Sequence, residues 1–199
     1  TMMGTLLKPT EDYNWVGKDS GGRMMVWGRG IGYMEARPFS GVGLAAFPVA
    51  EGTISPLAAQ QHYGTGLKWS AAHNSFVQVG AELGVPGLVL FVAIVFLTFR
   101  TAARLARDAL ARAQPDVAVA GLASVHAAVV VGYAVSGFFL SQAYSPYLYF
   151  VVGTVIGLDA VVRKRWRAIS RSVRSVAVAR APRVAGFGDV RQVAAQRAQ

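Results

Sequence analysis

Cysteine is absent from the chain. That excludes disulfide frameworks, thiolate zinc sites, iron–sulfur clusters and cysteine nucleophiles, and it leaves the redox compartment open. Charge is scarce too. Asp, Glu, Lys and Arg make up 15% of the 199 residues, where an ordinary soluble domain carries about a quarter. Acidic residues are the scarcer sign, 10 against 20 Lys and Arg. No Asp-x-Asp pair occurs, so metal-assisted transfer from a nucleotide sugar has no visible ligands. Internal repeats and alternating strand patterns are also missing. What is plentiful is apolar: 53% of residues are hydrophobic, which excludes disorder over most of the chain and argues against an ordinary soluble domain.

The placement of the charges decides what the net +10 means. Residues 1–82 hold six basic and six acidic side chains and are neutral overall. Residues 83–99, LGVPGLVLFVAIVFLTF, carry no charge. Arg100, Arg104, Arg107 and Arg112 follow, against Asp108 and Asp116. Val117 to Leu158 is again uncharged over 42 residues. Beyond Asp159 the tail has ten basic residues and one acid, Asp189. A bilayer core needs about 20 apolar residues per helical span. The pattern predicts an all-α, multi-span helical membrane protein with transmembrane helices near 83–103, 117–140 and 145–162. Segment 141–146, SQAYSP, is the break, and Pro146 suits a helix start. Both basic segments fall on one side of a three-span arrangement, which makes that side cytoplasmic. The C-terminal tail 163–199 is then cytoplasmic, and residues 1–82 form an extracytoplasmic loop region with short helices. The start TMMGTLLKPTEDYNW has no basic region ahead of an apolar run, so it does not read as a signal peptide. An exported segment without an export signal is expected if the chain is the C-terminal part of a larger bundle.

Within residues 1–82 the spacing of Met24, Val26/Trp27, Ile31 and Tyr33/Met34 predicts a helix that Pro38 ends. SGVGLAAFPVAEG reads as loop, 53–62 as a short helix, and 70–84 as a helix with Ser70 as its cap. In the tail, Trp166, Ile169, Val173 and Val176 recur at steps of three and four, as in an amphipathic helix lying on anionic lipid. Topology accounts for the tail's charge, so nucleic acid is not an expected partner. Gly153 and Gly157 form a small-xxx-small pair suited to close helix packing. Gly41-Val-Gly43 matches a loose dinucleotide fingerprint, but no strand precedes it and no acid lies about 20 residues on; a tight loop is the better account.

Three histidines occur. His62 reads as solvated surface. His126 lies inside a span and reads as a neutral group bonded to a neighbouring helix. His73 stands at a helix start above the outer membrane face. An imidazole near its ordinary pKa of about 6.5 can accept a hydroxyl proton at neutral pH. Arg23, Arg29 and Arg37 lie in the same segment, and guanidinium groups are well suited to a diphosphate.

The ordered set Gly22-Arg23, Trp27, Pro38, Gly41, Gly43, His73-Asn74, Glu82, Gly84 and Gly87 resembles the O-antigen ligase / O-antigen polymerase superfamily over about residues 20–100. Members of that family are longer, and their further arginines, in an earlier outside loop, have no counterpart here. The resemblance implies a metal-independent, inverting glycosyltransferase with no cofactor in the bacterial inner membrane. Its donor is a glycan on undecaprenyl diphosphate. Its acceptor is a sugar hydroxyl on lipid A–core, and membrane lipids surround it. The same donor serves a polymerase or a protein O-oligosaccharyltransferase, which differ in acceptor. A non-catalytic transport or polysaccharide-export component is the alternative from another class. By the resemblance, His73 orients or deprotonates the acceptor and Arg23 pairs with the diphosphate. Arg29 and Arg37 are further substrate contacts. Asn74 either orients His73 or caps the helix.

Overall fold

The computed structural model describes residues 22–56, 58 and 71–180, with side chains to residue 175. His62, Ser70 and the tail beyond 180 lie outside the described residues. The described residues are helical and contain no strand. The helices are α1 (Arg23–Ala36), α2 (Phe47–Thr53), α3 (Ser75–Leu110), α4 (Val117–Gly137) and α5 (Pro146–Arg180). Three are long and apolar enough to cross a membrane: α3, α4 and the Pro146–Ser175 part of α5. The protein is thus a helical membrane protein. The chain divides into two compact units, Thr1–Asp159 and Ala160–Gln199.

In the first unit α3 and α4 pack side by side through small residues. Ala102, Ala106 and Ala109 of α3 are buried, as are Ala120 and Ala123 of α4. Small side chains let helix backbones approach closely, the main source of helix association in lipid. The outward faces keep Val89, Leu90, Phe96, Leu97, Val125 and Val135 exposed, as contact with hydrocarbon chains requires. The turn between α4 and α5 folds over the start of α3. There Val79, Phe91, Ala143 and Leu148 form one cluster. Gly153 and Gly157 face open space, so the expected close packing of that pair is not made with the described helices.

α3 is not one regular helix. Gly84 leaves the helical region, with φ 68° and ψ −168°, and Pro86 follows. A proline inside a helix removes one i→i−4 donor and crowds the carbonyl four residues back. The break therefore strands the carbonyls of Ala81 and Glu82 and the N–H of Val85. At membrane depth such groups must find protein partners. The loop after α1 provides them. Val42 N–H donates to Ala81 O (2.9 Å), Gly43 N–H donates to Glu82 O (3.0 Å), and Val85 N–H donates to Pro38 O (2.7 Å). Two glycines make this approach possible. Gly41 has φ 60°, and a side chain there would run into the Glu82 backbone. A side chain at Gly84 would strike Pro38 O. Pro38-x-x-Gly41-x-Gly43 and Glu82-x-Gly84 are thus two halves of one device, joined across about 40 residues.

The helix predicted over the first glycine-rich stretch is present as α1. Its buried face is Val26, Trp27, Gly30 and Tyr33, while Met24 and Ile31 are exposed. Gly30 sits against Val77 and Phe47, which is where α1 meets α3. Two expectations are corrected. The segment read as loop contains α2, which has Pro48 in its first turn, a position where proline costs no hydrogen bond. The short helix expected over 53–62 is not formed at its described start: Thr53 ends α2, and Ile54–Pro56 are turn and bend. The helix containing residues 75–84 is capped by Asn74 and is continuous with the first span.

In the second unit, residues 160–180 are helical. Trp166 is buried, while Ile169 and Val173 are exposed.

Candidate functional site

Arg23 opens α1, and Trp27 lies one turn later on the same face. Trp27 is buried, and its indole N–H donates to Ala72 O over 2.9 Å. An indole N–H has a single donor and needs such an acceptor when buried. This bond ties the first turn of α1 to the residue before His73, and so brings the Arg23 end of α1 to His73 across 50 residues of sequence. The electrostatics agree. Partial burial and, after it, the positive charge of Arg23 hold the His73 imidazole below its ordinary 6.5. Among the described residues, neither the Arg23 guanidinium nor the His73 ring makes a hydrogen bond or ion pair. The arrangement offers a neutral base beside a cation, with both functional groups available to a ligand.

His73 itself is unusual. It is exposed and has φ 48°, in the left-handed region that non-glycine residues seldom adopt. Its N–H donates to Ser141 Oγ at 2.9 Å. Its neighbour Asn74 is the N-cap of α3: Asn74 Oδ1 accepts from Phe76 N–H (2.9 Å) and Val77 N–H (3.1 Å). Of the two roles open to Asn74, the structure shows the cap. Ser75 is fully buried, donates to Leu140 O (2.7 Å) and accepts from Gln142 N–H (2.8 Å).

Arg29 and Arg37 do not join this cluster. The Arg29 guanidinium, expected to hold phosphate, holds Glu51. Nε lies 2.9 and 3.0 Å from the two carboxylate oxygens, and an Nη contact completes a bidentate pair. The bond to Glu51 raises the Arg29 pKa. Tyr33 Oη also donates to Glu51, at 2.7 Å, and burial together with that carboxylate pushes the Tyr33 phenol upward. The pair braces α1 against α2. Breaking a buried pair strands the remaining charge at a cost of about 3 kcal/mol. Arg29→Ala should therefore lower the melting temperature of the detergent-solubilised protein and leave donor affinity per folded molecule unchanged. A weakened affinity at unchanged melting temperature would restore the substrate-contact role. Arg37 caps the far end of α1, about 21 Å from Arg23 along the axis. Among the described residues, His126 is bonded within its own helix and not to a neighbouring one: its Nδ1 lies 2.8 Å from Leu122 O.

Sequence reasoning passed over the residue at the centre of the fold. Glu82 is fully buried. One carboxylate oxygen accepts from Phe47 N–H (3.0 Å), and the other accepts from Ala45 N–H (3.1 Å) and Tyr144 Oη (2.6 Å). It caps α2, fixes the glycine loop and anchors the α4–α5 turn. Burial and the Glu82 carboxylate hold the Tyr144 phenol well above its ordinary range, so it remains a donor. The available signal was an acid at the mouth of an apolar run, a placement lipid tolerates only with partners.

Residues 5–92 match the family model described as O-antigen ligase. The matched segment contains α1, α2, the paired glycine motifs, Arg23 and His73. No curated protein matches the chain.

Proposed function

We propose that this chain, whose residues 5–92 are those of the O-antigen ligase family, transfers a glycan from undecaprenyl diphosphate to an acceptor hydroxyl, that of lipid A–core, at the outer face of the bacterial inner membrane. What supports this reading is the Trp27–Ala72 hydrogen bond, which brings the first turn of α1 to the residue before His73, and the electrostatic influence of Arg23 on the His73 ring. The basic segment 100–116 takes in the opposite, C-terminal end of α3 and the residues that follow it, and by the positive-inside rule that end is cytoplasmic.

In this reading the neutral His73 ring takes the acceptor's proton as its oxygen attacks the anomeric carbon. The bond from that carbon to the diphosphate oxygen breaks, and the electron pair leaves with the diphosphate. Arg23 pairs with the charge that develops there. The new glycosidic bond has inverted configuration, and the proton rests on His73. Diphosphate departs readily without a general acid, and no step requires a metal or cofactor.

The lowered His73 pKa sets the sign of the pH dependence. The active neutral ring persists below pH 6.5 and is lost as pH falls through the shifted value. The modification rate of His73 by diethyl pyrocarbonate, read by peptide mass spectrometry, should show its midpoint below 6.5. In Arg23→Ala the midpoint should rise. Farnesyl diphosphate, a short lipid diphosphate probe, should slow this modification at least fivefold in the wild type and not in Arg23→Ala. Absence of protection in the wild type would overturn the reading.

A further inference from the structure

The conformation of His73 is imposed from outside the matched segment. The turn 138–145, between α4 and α5, grips His73 and Ser75 through three of its successive residues. Leu140 O accepts from Ser75 Oγ, Ser141 Oγ accepts from His73 N–H, and Gln142 N–H donates to Ser75 Oγ. The turn is itself held from below. Tyr133 Oη donates to Gln142 O at 2.7 Å, and Tyr144 Oη donates to Glu82. Phe138 stacks edge-on against Trp27, with centroids 5.3 Å apart, so the same turn also braces the indole that brings α1 to His73.

Of these contacts, only the Ser141 hydroxyl touches His73. A left-handed backbone at a non-glycine residue costs about 1 kcal/mol or more and persists where surrounding contacts over-determine it. The His73 N–H, which lies ahead of the α3 N-cap and so has no place in the helix's hydrogen-bond ladder, has Ser141 Oγ as its acceptor.

We propose that Ser141 is a positioning residue for His73: its hydroxyl oxygen, by accepting the His73 amide hydrogen, holds the histidine in the left-handed conformation from which the imidazole stands beside Arg23. This rests on reading His73 as the group that takes the acceptor proton. The active site then extends past residue 92 and is completed by the turn between the second and third long helices. That turn contributes no group to the chemistry itself.

Ser141 is exposed, so Ser141→Ala should fold and insert normally. It should reduce kcat for glycan transfer roughly tenfold at unchanged KM for the lipid-linked donor, as expected when a reacting group is displaced by a fraction of an ångström. The His73 modification midpoint should rise toward 6.5 as the ring leaves the field of Arg23. Ser141→Thr keeps the hydroxyl and should restore both readouts. A merely structural role would move neither the midpoint nor the kcat-to-KM split. Wild-type kcat and an unmoved midpoint in Ser141→Ala, with His73→Ala inactive, would overturn the positioning role and leave the catalytic reading intact. Retained transfer by His73→Ala would overturn the catalytic reading itself.

Discussion

Replacing His73 with alanine in the full-length protein, in its native membrane, is expected to lower glycan transfer by about 10²- to 10⁴-fold, the usual worth of a positioned general base. Arg23→Ala is expected to cost about 10²- to 10³-fold, the scale for removing one donor aimed at developing negative charge. Both variants should reach wild-type levels in the membrane. His73 is exposed and Arg23 half-buried, and among the described residues neither side chain bonds to another protein group, so neither supports the fold. Arg23→Lys should recover only part of the loss, because an ammonium lacks the planar fork that grips two phosphate oxygens. Glycan laddering on gels, with immunoblots for the protein itself, separates lost chemistry from lost protein. Near wild-type transfer by both alanine variants would remove the enzymatic assignment.

Glu82→Ala should do the reverse and destroy the fold before the chemistry. The substitution leaves two N–H groups, of Ala45 and Phe47, and the Tyr144 hydroxyl without their acceptor. The buried Phe47 N–H left unpaired costs about 1–3 kcal/mol, and the less buried Ala45 N–H and Tyr144 hydroxyl, which can turn to water, add a smaller amount. Together these are a sizeable share of ordinary domain stability. Glu82→Gln should lie between, since its amide oxygen serves one side while its NH₂ faces a donor on the other. Fluorescence-detected melting in detergent should rank the wild type above Glu82→Gln and Glu82→Gln above Glu82→Ala. His73→Ala should melt with the wild type. A Glu82→Ala protein with unchanged melting would show that the glycine loop and the α4–α5 turn are held by other contacts.

These two residues also mark what could be read in advance. His73 and Arg23 stood out as candidates because their side chains suit a base and an anion holder and because they fall in an ordered motif. Glu82 was visible only as a member of that motif. Its three partners lie at 45, 47 and 144, and no local pattern links those positions. α2 was missed for a related reason. Its glycine- and proline-rich sequence is a poor helix by propensity, yet a carboxylate 35 residues away caps its first turn. Arg29 illustrates the opposite case: its charge reads as free for substrate until the partner from another helix, Glu51, is seen.

The linear sequence by itself determined the solvent: uncharged runs long enough to cross a bilayer leave helices as the structure that satisfies their backbone, whatever their packing. It also determined which chemistry was excluded and which side chains were available. Only the tertiary structure decided which arginine stands beside the histidine, since hydrogen bonds such as Trp27 to Ala72 act through space, across intervals that carry no periodic signal. The left-handed twist at His73 belongs to the same class, being set by a hydroxyl 68 residues downstream.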